Sequence, residues 1–266
     1  MLDGLFCSVI DTPSTEQTYY YGVQRVTPEE KTEKVYQLFD DIADKYECMN
    51  DILTMGIVRL WRNKFITTLS PTDNTKVLDV AGGNGDIAFR FLNYVQCAAL
   101  KDCHVTVCDI NKNMLDVGIS RFQKLNYDKE LISWEIGDAE NLHFPDNSFD
   151  AYTIGFGCRN VTYVDKVLQE AYRVLKPGGR FLCLELTHLE NDLLQWFYDL
   201  YSDEVMPVVG YLITGQWQHS IYLVQSIRNF PRQEAFKTMI ENAGFRQVTY
   251  ENLTKGIASI HSGFKF

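Results

Sequence analysis

The segment Val77–Asp86 constrains the fold more than any other part of this chain. It begins as an apolar strand that carries Asp79, and it runs into a glycine cluster followed by a helical pattern. Glycine has no Cβ, so the backbone can turn sharply there and approach a ligand closely. The spacing Gly83-x-Gly85-x-x-Ala88 also satisfies the loose dinucleotide-binding pattern, which is weak by itself. The segment therefore predicts a cofactor-binding turn and leaves the cofactor open.

Strands and helices alternate after this turn, which predicts an α/β fold with a doubly wound, mostly parallel sheet. An apolar stripe at helical period runs from residue 164 to 175 and is stopped by Pro177-Gly178-Gly179. The last two strand patterns, joined through residues 254–256, predict an antiparallel hairpin. Such an ending suits a class I S-adenosylmethionine (SAM)-dependent methyltransferase better than a dehydrogenase. The predicted strands are 76–80, 105–109, 133–136, 149–154, 180–186, 247–253 and 257–264.

The chain divides into three parts. Residues 1–26 form a polar leader that we expect to be flexible, and residues 27–72 form an N-terminal helical cap that begins at the capping residue Thr27. We expect residues 73–266 to form the SAM-dependent methyltransferase domain that the strand pattern favours, with an aromatic-rich helical insertion at 191–230. The insertion is interpreted either as core packing of an extra helical layer or as an apolar wall over the ligand edge of the sheet.

Composition limits the partners. The 266-residue chain has a net charge of −10, which argues against a nucleic-acid partner because phosphate binding needs a basic surface. Its seven cysteines form no C-x-x-C pair, which indicates reduced thiols, and its five histidines lack the spacing of metal ligands. No apolar run reaches the roughly 18 residues of a membrane span, which leaves peripheral association open. Residues 1–24 contain no lysine or arginine, so neither a presequence nor a signal peptide is visible.

Ligands of doubly wound sheets bind outside the carboxyl ends of the strands. Asp109 ends the second predicted strand, where its carboxylate can accept hydrogen bonds from both hydroxyls of a ribose. Asp138 and Ala139 follow the third, where an adenine can meet a side chain and a backbone amide. Asp109 and Asp138 can alternatively be capping or turn residues. The residues that we expect to bind the cofactor are Asp79, Gly82, Gly83, Asn84, Gly85, Asp109, Ile110, Asp138, Ala139 and Gly155.

The segment Gly155–Asn160 follows the fourth predicted strand. Gly155 and Gly157 allow a substrate to approach the backbone, while Arg159 and Asn160 are polar groups at the point where a transferred group would emerge. The alternative interpretation is that Arg159 and Asn160 are loop residues that bond to nearby carbonyls.

With these motifs in place, the chain resembles the ubiquinone/menaquinone-biosynthesis C-methyltransferase family over roughly residues 35–266, and most closely its eukaryotic branch. The motifs that carry the resemblance are FDDIADKYECMND at 39–51, LDVAGGNGD at 78–86, DINKNML at 109–115, GDAE at 137–140, FGCRNVT at 156–162, EAYRVLKPGG at 170–179 and IHSGFK at 260–265.

The resemblance implies C-methylation of a polyprenylated methoxy-benzoquinol ring by SAM in ubiquinone biosynthesis. Demethylmenaquinol methylation and a non-catalytic methyltransferase-like scaffold are the alternatives within this resemblance. The resemblance also implies that Arg159, Asn160 and Tyr46 line the substrate end of the site. Because the pKa of arginine is above about 12, we expect Arg159 to stabilise a phenolate rather than act as a base, with Tyr46 and Asn160 orienting the ring.

The resemblance further implies a homodimer within a multi-enzyme complex, bound peripherally to the matrix side of the mitochondrial inner membrane. An NAD-dependent oxidoreductase is the rival from another class of enzyme, and calorimetry with SAM and with NAD separates the two.

The chain departs from the family pattern at four positions, and region 211–221 matches poorly. These positions are Asn84 (usually threonine), Val58 (usually histidine), Glu47 (usually aspartate) and Gln225 (usually glutamate).

Overall fold

The computed structural model describes residues 19–21, 24–125 and 127–266. Two short strands, β1 (Tyr19–Tyr21) and β2 (Gln24–Val26), pair antiparallel at its N-terminal end. Most of the leader predicted at 1–26 lies outside the described residues, but this pairing gives its last part regular structure. Aromatic residues favour extended backbone, which accounts for a strand of three consecutive tyrosines.

Three helices follow, α1 (Pro28–Ile42), α2 (Tyr46–Leu53) and α3 (Ile57–Leu69). The predicted capping role of Thr27 is confirmed. Its hydroxyl accepts a hydrogen bond from the backbone N–H of Glu30 at 3.2 Å, and the Glu30 carboxylate accepts one from the backbone N–H of Thr27 at 2.9 Å. Gly56, with a φ of +76°, separates α2 from α3 where the sequence predicts an interruption.

Seven strands form the main sheet: β3 (Lys76–Val80), β4 (His104–Asp109), β5 (Ile132–Ile136), β6 (Phe149–Gly155), β7 (Leu175–Leu186), β8 (Arg246–Leu253) and β9 (Ala258–Phe264). Their order in the sheet is β5-β4-β3-β6-β7-β9-β8. Strands β3 to β7 run parallel, whereas β9 is antiparallel to both of its neighbours, so the predicted parallel sheet with a C-terminal hairpin is confirmed.

Strand β7 starts five residues before its predicted start. Leu175 already pairs with Phe149 of β6, and the register then shifts before the next pair, Ala151 with Arg180. The shift places Pro177-Gly178-Gly179 inside the strand as an irregularity, and the preceding helix ends at Val174. Proline is tolerated in a strand at such irregularities, because no ladder hydrogen bond is needed from its nitrogen there.

Helices cover both faces of the sheet. They are α4 (Asp86–Cys97), α5 (Lys112–Phe122), α6 (Val164–Val174) and α10 (Gln233–Asn242). One apolar core lies between the sheet and α3, α4 and α5, and a second lies between the sheet and α6 and α10. Within the described residues, no helix is both long and apolar enough to cross a membrane. The six cysteines described there are free thiols, four of them buried, whereas Cys7 lies outside the described residues.

The aromatic-rich insertion contains α7 (Asp192–Leu200), one π-helical turn (Tyr201–Val205), α8 (Met206–Thr214) and α9 (Trp217–Asn229). Met206 and Tyr222 pack with Leu38 of α1 and Met49 of α2 in a third apolar cluster. The insertion and the N-terminal helices therefore share a small core of their own, as the packing interpretation expects. Helix α7 contributes no buried residue.

Candidate active site

The turn after β3 brings its backbone close to β4. Ala81, Gly83 and Gly85 all have positive φ, of 49°, 52° and 79°. A Cβ on Gly82 would lie 2.6 Å from Val107 Cγ1, and a Cβ on Gly83 would lie 2.9 Å from the Met114 side chain. The turn is therefore a cradle whose shape depends on the missing side chains of its glycines.

Asp109 connects this cradle to the end of β4. Its Oδ2 accepts a hydrogen bond from the backbone N–H of Gly83 at 2.8 Å, and its Oδ1 accepts one from the backbone N–H of Asn111, also at 2.8 Å. Burial raises the pKa of Asp109 to about 6, although these N–H donors act against the increase. Each carboxylate oxygen has a further lone pair, so Asp109 can also accept hydrogen bonds from ligand hydroxyls.

Asp79 is a fully buried carboxyl group inside β3. The Thr153 hydroxyl donates to its Oδ1 at 2.8 Å, while its Oδ2 has no hydrogen-bond partner among the residues that the structure describes. Burial raises the pKa of Asp79 to about 7. A nearby cation would favour the ionised form, so this unsatisfied oxygen fits a ligand that carries positive charge.

A cleft opens above these groups at the carboxyl ends of β3 to β6. Eleven of the thirteen site residues predicted from the sequence line it, and only Gly85 and Arg159 do not. We call it the glycine-turn cleft, and its predicted lining residues are Tyr46, Asp79, Gly82, Gly83, Asn84, Asp109, Ile110, Asp138, Ala139, Gly155 and Asn160.

Two of the predicted cofactor-binding residues have local structural roles. A Cβ on Gly85 would lie 2.6 Å from the Trp134 ring, so Gly85 is needed for the approach of the α4 start to β5. Asp138 lines the cleft, and its Oδ1 also accepts a hydrogen bond from the backbone N–H of Glu140 at 2.9 Å. Asp138 is thus a turn residue, and in the described part of the chain no helix begins directly after it for it to cap; this turn contact is compatible with contact to a ligand.

The loop after β6 touches the glycine turn. A Cβ on Gly157 would lie 2.4 Å from Ala81 Cβ, so only glycine allows the two loops to approach this closely. Phe156 has a φ of +59°, and its carbonyl accepts hydrogen bonds from Arg159 Nη1 at 2.7 Å and Asn160 Nδ2 at 3.1 Å. Arg159 and Asn160 therefore do bond to a nearby carbonyl, as the alternative interpretation expects, and one carbonyl orients both.

Arg159 forms a buried ion pair with Glu185 of β7. The distance from Arg159 Nη1 to Glu185 Oε1 is 2.6 Å, and the two side chains are 7% and 0% exposed. Burial by itself lowers the pKa of Arg159, but the Glu185 carboxylate outweighs it, so the pKa lies above its usual value. Arg159 consequently stays a cation and cannot serve as a base.

Arg159 lines a second cleft, which we call the aromatic cleft. The two clefts are of similar size, about 1070 and 1000 Å³ including their open mouths, and Tyr46 and Phe156 line both of them. The remaining residues of the aromatic cleft are Asn50, Leu53, Thr54, Met55, Ile57, Val58, Trp61, Leu186, Tyr198, Tyr201, Met206, Leu223, Thr254 and Ile257. The insertion thus supplies part of an apolar wall as well as packing.

Charged groups surround the boundary between the clefts. Arg62, only 2% exposed, pairs with Asp86 at 2.5 Å and with Glu47 at 3.2 Å, and its guanidinium lies 5.7 Å from the centroid of the Phe156 ring. Burial raises the pKa of Tyr46, and the cations of Arg62 and Arg159 act against this increase. Glu47 retains an ion pair although it departs from the family pattern.

Sequence reasoning missed Glu185, Phe156 and Arg62. Glu185 interrupts an apolar strand near its carboxyl end, so the rule that found Asp109 could also have found Glu185. Phe156 acts through its backbone carbonyl and its ring position, which a residue type does not reveal. Arg62 reaches the site from a helix that precedes the sheet, and no local pattern indicates this.

A sequence profile of the ubiE/COQ5 methyltransferase family matches residues 27–265. The mitochondrial 2-methoxy-6-polyprenyl-1,4-benzoquinol methylase of Drosophila melanogaster is 53% identical over 258 residues, which cover 94% of this chain and 86% of that protein. The Homo sapiens protein of the same description is 50% identical, and the match covers 92% of this chain and 84% of that protein.

Solved structures of lower identity share the fold. The [4+2]-cyclase SpnF has a TM-score of 0.62 at 14% identity, with 88% of this chain and 96% of that chain covered. A SAM-dependent methyltransferase from Thermotoga maritima, described as a possible histamine N-methyltransferase, has a TM-score of 0.58 at 18% identity, with 87% and 100% covered. At these identities the likeness concerns the fold alone.

Proposed function

The chain belongs to the ubiE/COQ5 methyltransferase family, and from this premise we propose that it methylates a ring carbon of a polyprenylated methoxy-benzoquinol in ubiquinone biosynthesis. It is a SAM-dependent methyltransferase. The observation that carries the proposal is that the two clefts adjoin. Tyr46 and Phe156 line both, so a methyl donor in one cleft and an apolar ring in the other would come into direct contact where the clefts meet, beside these two residues.

The glycine-turn cleft fits SAM in its chemistry. The molecule carries a positively charged sulfonium and ammonium group, and Asp79 offers an unsatisfied buried carboxylate oxygen. We assign the ribose hydroxyls to Asp109 and the adenine to Asp138 and Ala139, while the backbone of Gly82 and Gly83 permits close contact. When bound, SAM supplies an electrophilic methyl group.

The aromatic cleft fits a quinol ring. Arg159 is a permanent cation and, among the residues described, the one charged residue in a mostly apolar and aromatic lining, so it would stabilise the negative charge of a phenolate and thereby enrich the ortho carbon in electrons. Tyr46, which lines both clefts, would orient the ring. Asn160 lines only the glycine-turn cleft, so it would contact the ring from the donor side, and it is held by the Tyr222 hydroxyl, which donates to Asn160 Oδ1 at 3.1 Å. Exclusion of water and alignment of the two reactants would contribute much of the rate.

The decisive experiment is a SAM-dependent mass gain of one methyl group on a demethylated benzoquinol. We expect Arg159→Ala to lower kcat about 100- to 1000-fold with a tail-less quinol analogue, because a buried cation at the developing charge is lost. Arg173→Ala is the matched control, since Arg173 is also ion-paired, to Glu170 at 2.8 Å, but lines neither cleft. Near-normal turnover of Arg159→Ala would contradict the assignment of Arg159.

We further propose peripheral association with a membrane through the outer side of α7. Leu193, Trp196, Phe197 and Leu200 follow each other at helical spacing and are 64%, 58%, 55% and 49% exposed. On the same helix, Tyr198 lines the aromatic cleft, so a bilayer bound to this helix would deliver a prenyl tail next to the ring site. Residues 191–227 contain no lysine or arginine, which favours hydrophobic rather than electrostatic binding.

Flotation with neutral phosphatidylcholine vesicles tests this surface. We expect binding that survives high salt and that Trp196→Glu together with Phe197→Glu abolishes. Phe266→Glu is the control, because Phe266 is 68% exposed and follows Phe264, which pairs with Arg180 far from the clefts. Equal flotation of the double variant and the wild type would contradict the proposal.

The relatives are described as mitochondrial, which supports a mitochondrial location for this chain, and we propose the matrix side of the inner membrane. We also propose a homodimer that joins a multi-enzyme complex of ubiquinone biosynthesis, supported by the family resemblance. Protease protection in fractionated mitochondria tests the location. Light scattering of the purified chain tests the dimer, and co-purification of other quinone-biosynthesis enzymes with the tagged chain tests the complex.

A further inference from the structure

Glu185 is a fully buried carboxylate near the carboxyl end of β7 that lines neither cleft. It accepts three hydrogen bonds from protein donors. Its Oε2 accepts one from the backbone N–H of Arg159 at 3.1 Å, and its Oε1 accepts from Arg159 Nη1 at 2.6 Å and from the backbone N–H of Leu186 at 2.8 Å. Two of the three donors thus belong to a single residue, Arg159.

This arrangement holds Arg159 at both ends. One oxygen of the carboxylate binds the main chain of Arg159 and the other binds the tip of its side chain, so the two contacts close a ring that restricts the side-chain torsions. The same Nη1 donates a second hydrogen bond, to the Phe156 carbonyl, at 2.7 Å. A long arginine side chain otherwise samples many rotamers, and its planar donor group is useful only when its orientation is fixed.

The charge of Glu185 matters as well as its shape. Arg159 is 7% exposed, and its Nε is buried without a hydrogen-bond partner among the residues described. A guanidinium that is buried this deeply requires an anion nearby to remain in place as a cation. Glu185 supplies that anion from the side of the sheet, away from the lining of both clefts.

We propose that Glu185 is a positioning residue for methyl transfer. It fixes the guanidinium of Arg159 at the edge of the aromatic cleft and acts through Arg159, without contact to substrate or cofactor. This inference rests on the proposed function, because it assumes that Arg159 stabilises the phenolate.

The first test is Glu185→Gln, which keeps the size of the side chain and removes its charge. We expect kcat for the quinol to fall about 10- to 100-fold, because the cation loses its fixed place, while the Kd for SAM stays within about twofold. Glu170→Gln is the matched control. Glu170 likewise pairs with an arginine, Arg173, at 2.8 Å and accepts the backbone N–H of Leu142 at 2.7 Å, but its partner Arg173 lines neither cleft, whereas Arg159 lines the aromatic cleft.

The second test asks whether Glu185 acts through Arg159. In an Arg159→Ala background the guanidinium that Glu185 holds is absent, so we expect Glu185→Gln to change kcat by less than about twofold there. Full additivity of the two losses, or a wild-type kcat in Glu185→Gln, would overturn the inference. SAM affinity and thermal unfolding report whether each variant is folded.

If Glu185→Gln does not fold, Glu185→Asp replaces it. The shorter side chain keeps the charge but cannot reach both donors of Arg159, so we expect a reduced kcat with normal SAM affinity, and a wild-type kcat would overturn the inference. A wild-type chain that methylates no quinol contradicts the proposed function itself. An active wild type with unaffected Glu185 variants contradicts only the role of Glu185.

Discussion

The two clefts share Tyr46 and Phe156 but are built from the chain in different ways. The glycine-turn cleft is lined mainly by strand ends and the turns that follow them, together with residues from the three helices of the N-terminal cap. The aromatic cleft is lined by separate segments around residues 46–61, 156–159, 186–206, 223 and 254–257. Sheet topology fixes the first, whereas the second depends on how an insertion packs. We therefore expect substitutions in the two clefts to affect cofactor and quinol separately.

The largest expected effect comes from Asp109→Ala. Loss of the carboxylate to which we assign the two ribose hydroxyls should raise the Kd for SAM at least about 100-fold in calorimetry. The affinity for a tail-less quinol analogue should change less than about twofold. Asp116→Ala is the control, because Asp116 is an exposed carboxylate that pairs with Lys112 outside the clefts. A parallel loss of quinol binding would show that the two clefts are not separate.

The pH dependence of SAM affinity gives the next largest effect. Burial raises the pKa of Asp79 to about 7 and that of Asp109 to about 6, so the folded, ligand-free protein favours their protonated forms. Their contribution to stability is present below about pH 4 and is lost as the pH rises through 6 and 7. SAM affinity should change in the opposite direction, because the cation and the ribose hydroxyls interact best with ionised carboxylates.

If both carboxyls must ionise, these pKa values imply that the affinity for SAM increases about 20-fold between pH 6 and pH 8. Calorimetry in two buffers of different ionisation enthalpy should also detect proton release on binding. Asp79→Asn should reduce the rise in affinity between pH 6 and pH 8 from about 20-fold to about twofold, because only Asp109, with a pKa of about 6, then titrates in this range. A flat profile of the wild type would contradict the assignment of these two residues to the cofactor.

A smaller effect on KM should distinguish contacts with the quinol ring from contacts with its prenyl tail in the aromatic cleft. Tyr201 lines this cleft, and its hydroxyl donates to the Leu53 carbonyl at 2.8 Å. We expect Tyr201→Ala to raise KM about 10-fold for a long-tailed quinol and less than about twofold for a tail-less one, because apolar contact area is lost. Tyr250→Ala, outside both clefts, is the control. Equal losses with both quinols would mean that Tyr201 does not contact the tail.

The smallest expected effect belongs to Asn84, the departure of the glycine turn from the family pattern. Its side chain is buried and its backbone carbonyl accepts a hydrogen bond from Arg121 Nη1 at 3.2 Å. Because both asparagine and threonine can form a side-chain hydrogen bond, Asn84→Thr should change the Kd for SAM by less than about twofold. A larger change would mean that the turn of this chain holds the cofactor differently from its relatives.

The same contrast explains how far the sequence could be interpreted. The strands, the C-terminal hairpin and the residues after β3, β4 and β5 were predictable, because strand ends in a parallel sheet meet at one edge. The aromatic cleft was predictable only as an apolar wall. Trp61, Thr254 and Ile257 reach it from segments almost 200 residues apart, and nothing local to any of them indicates the others. The β1–β2 pairing was missed because polar composition says little about a three-residue strand.

The border formed by Tyr46 and Phe156 also bears on how such enzymes diverge. The carboxylates and glycines that we assign to the methyl donor lie in one cleft, while most side chains that would recognise the acceptor lie in the other. Selection for a different acceptor can therefore alter α7 and the β8–β9 connection without changing a residue that lines the donor cleft. Two adjoining clefts with separate linings make acceptor specificity an evolvable trait while the chemistry is inherited unchanged.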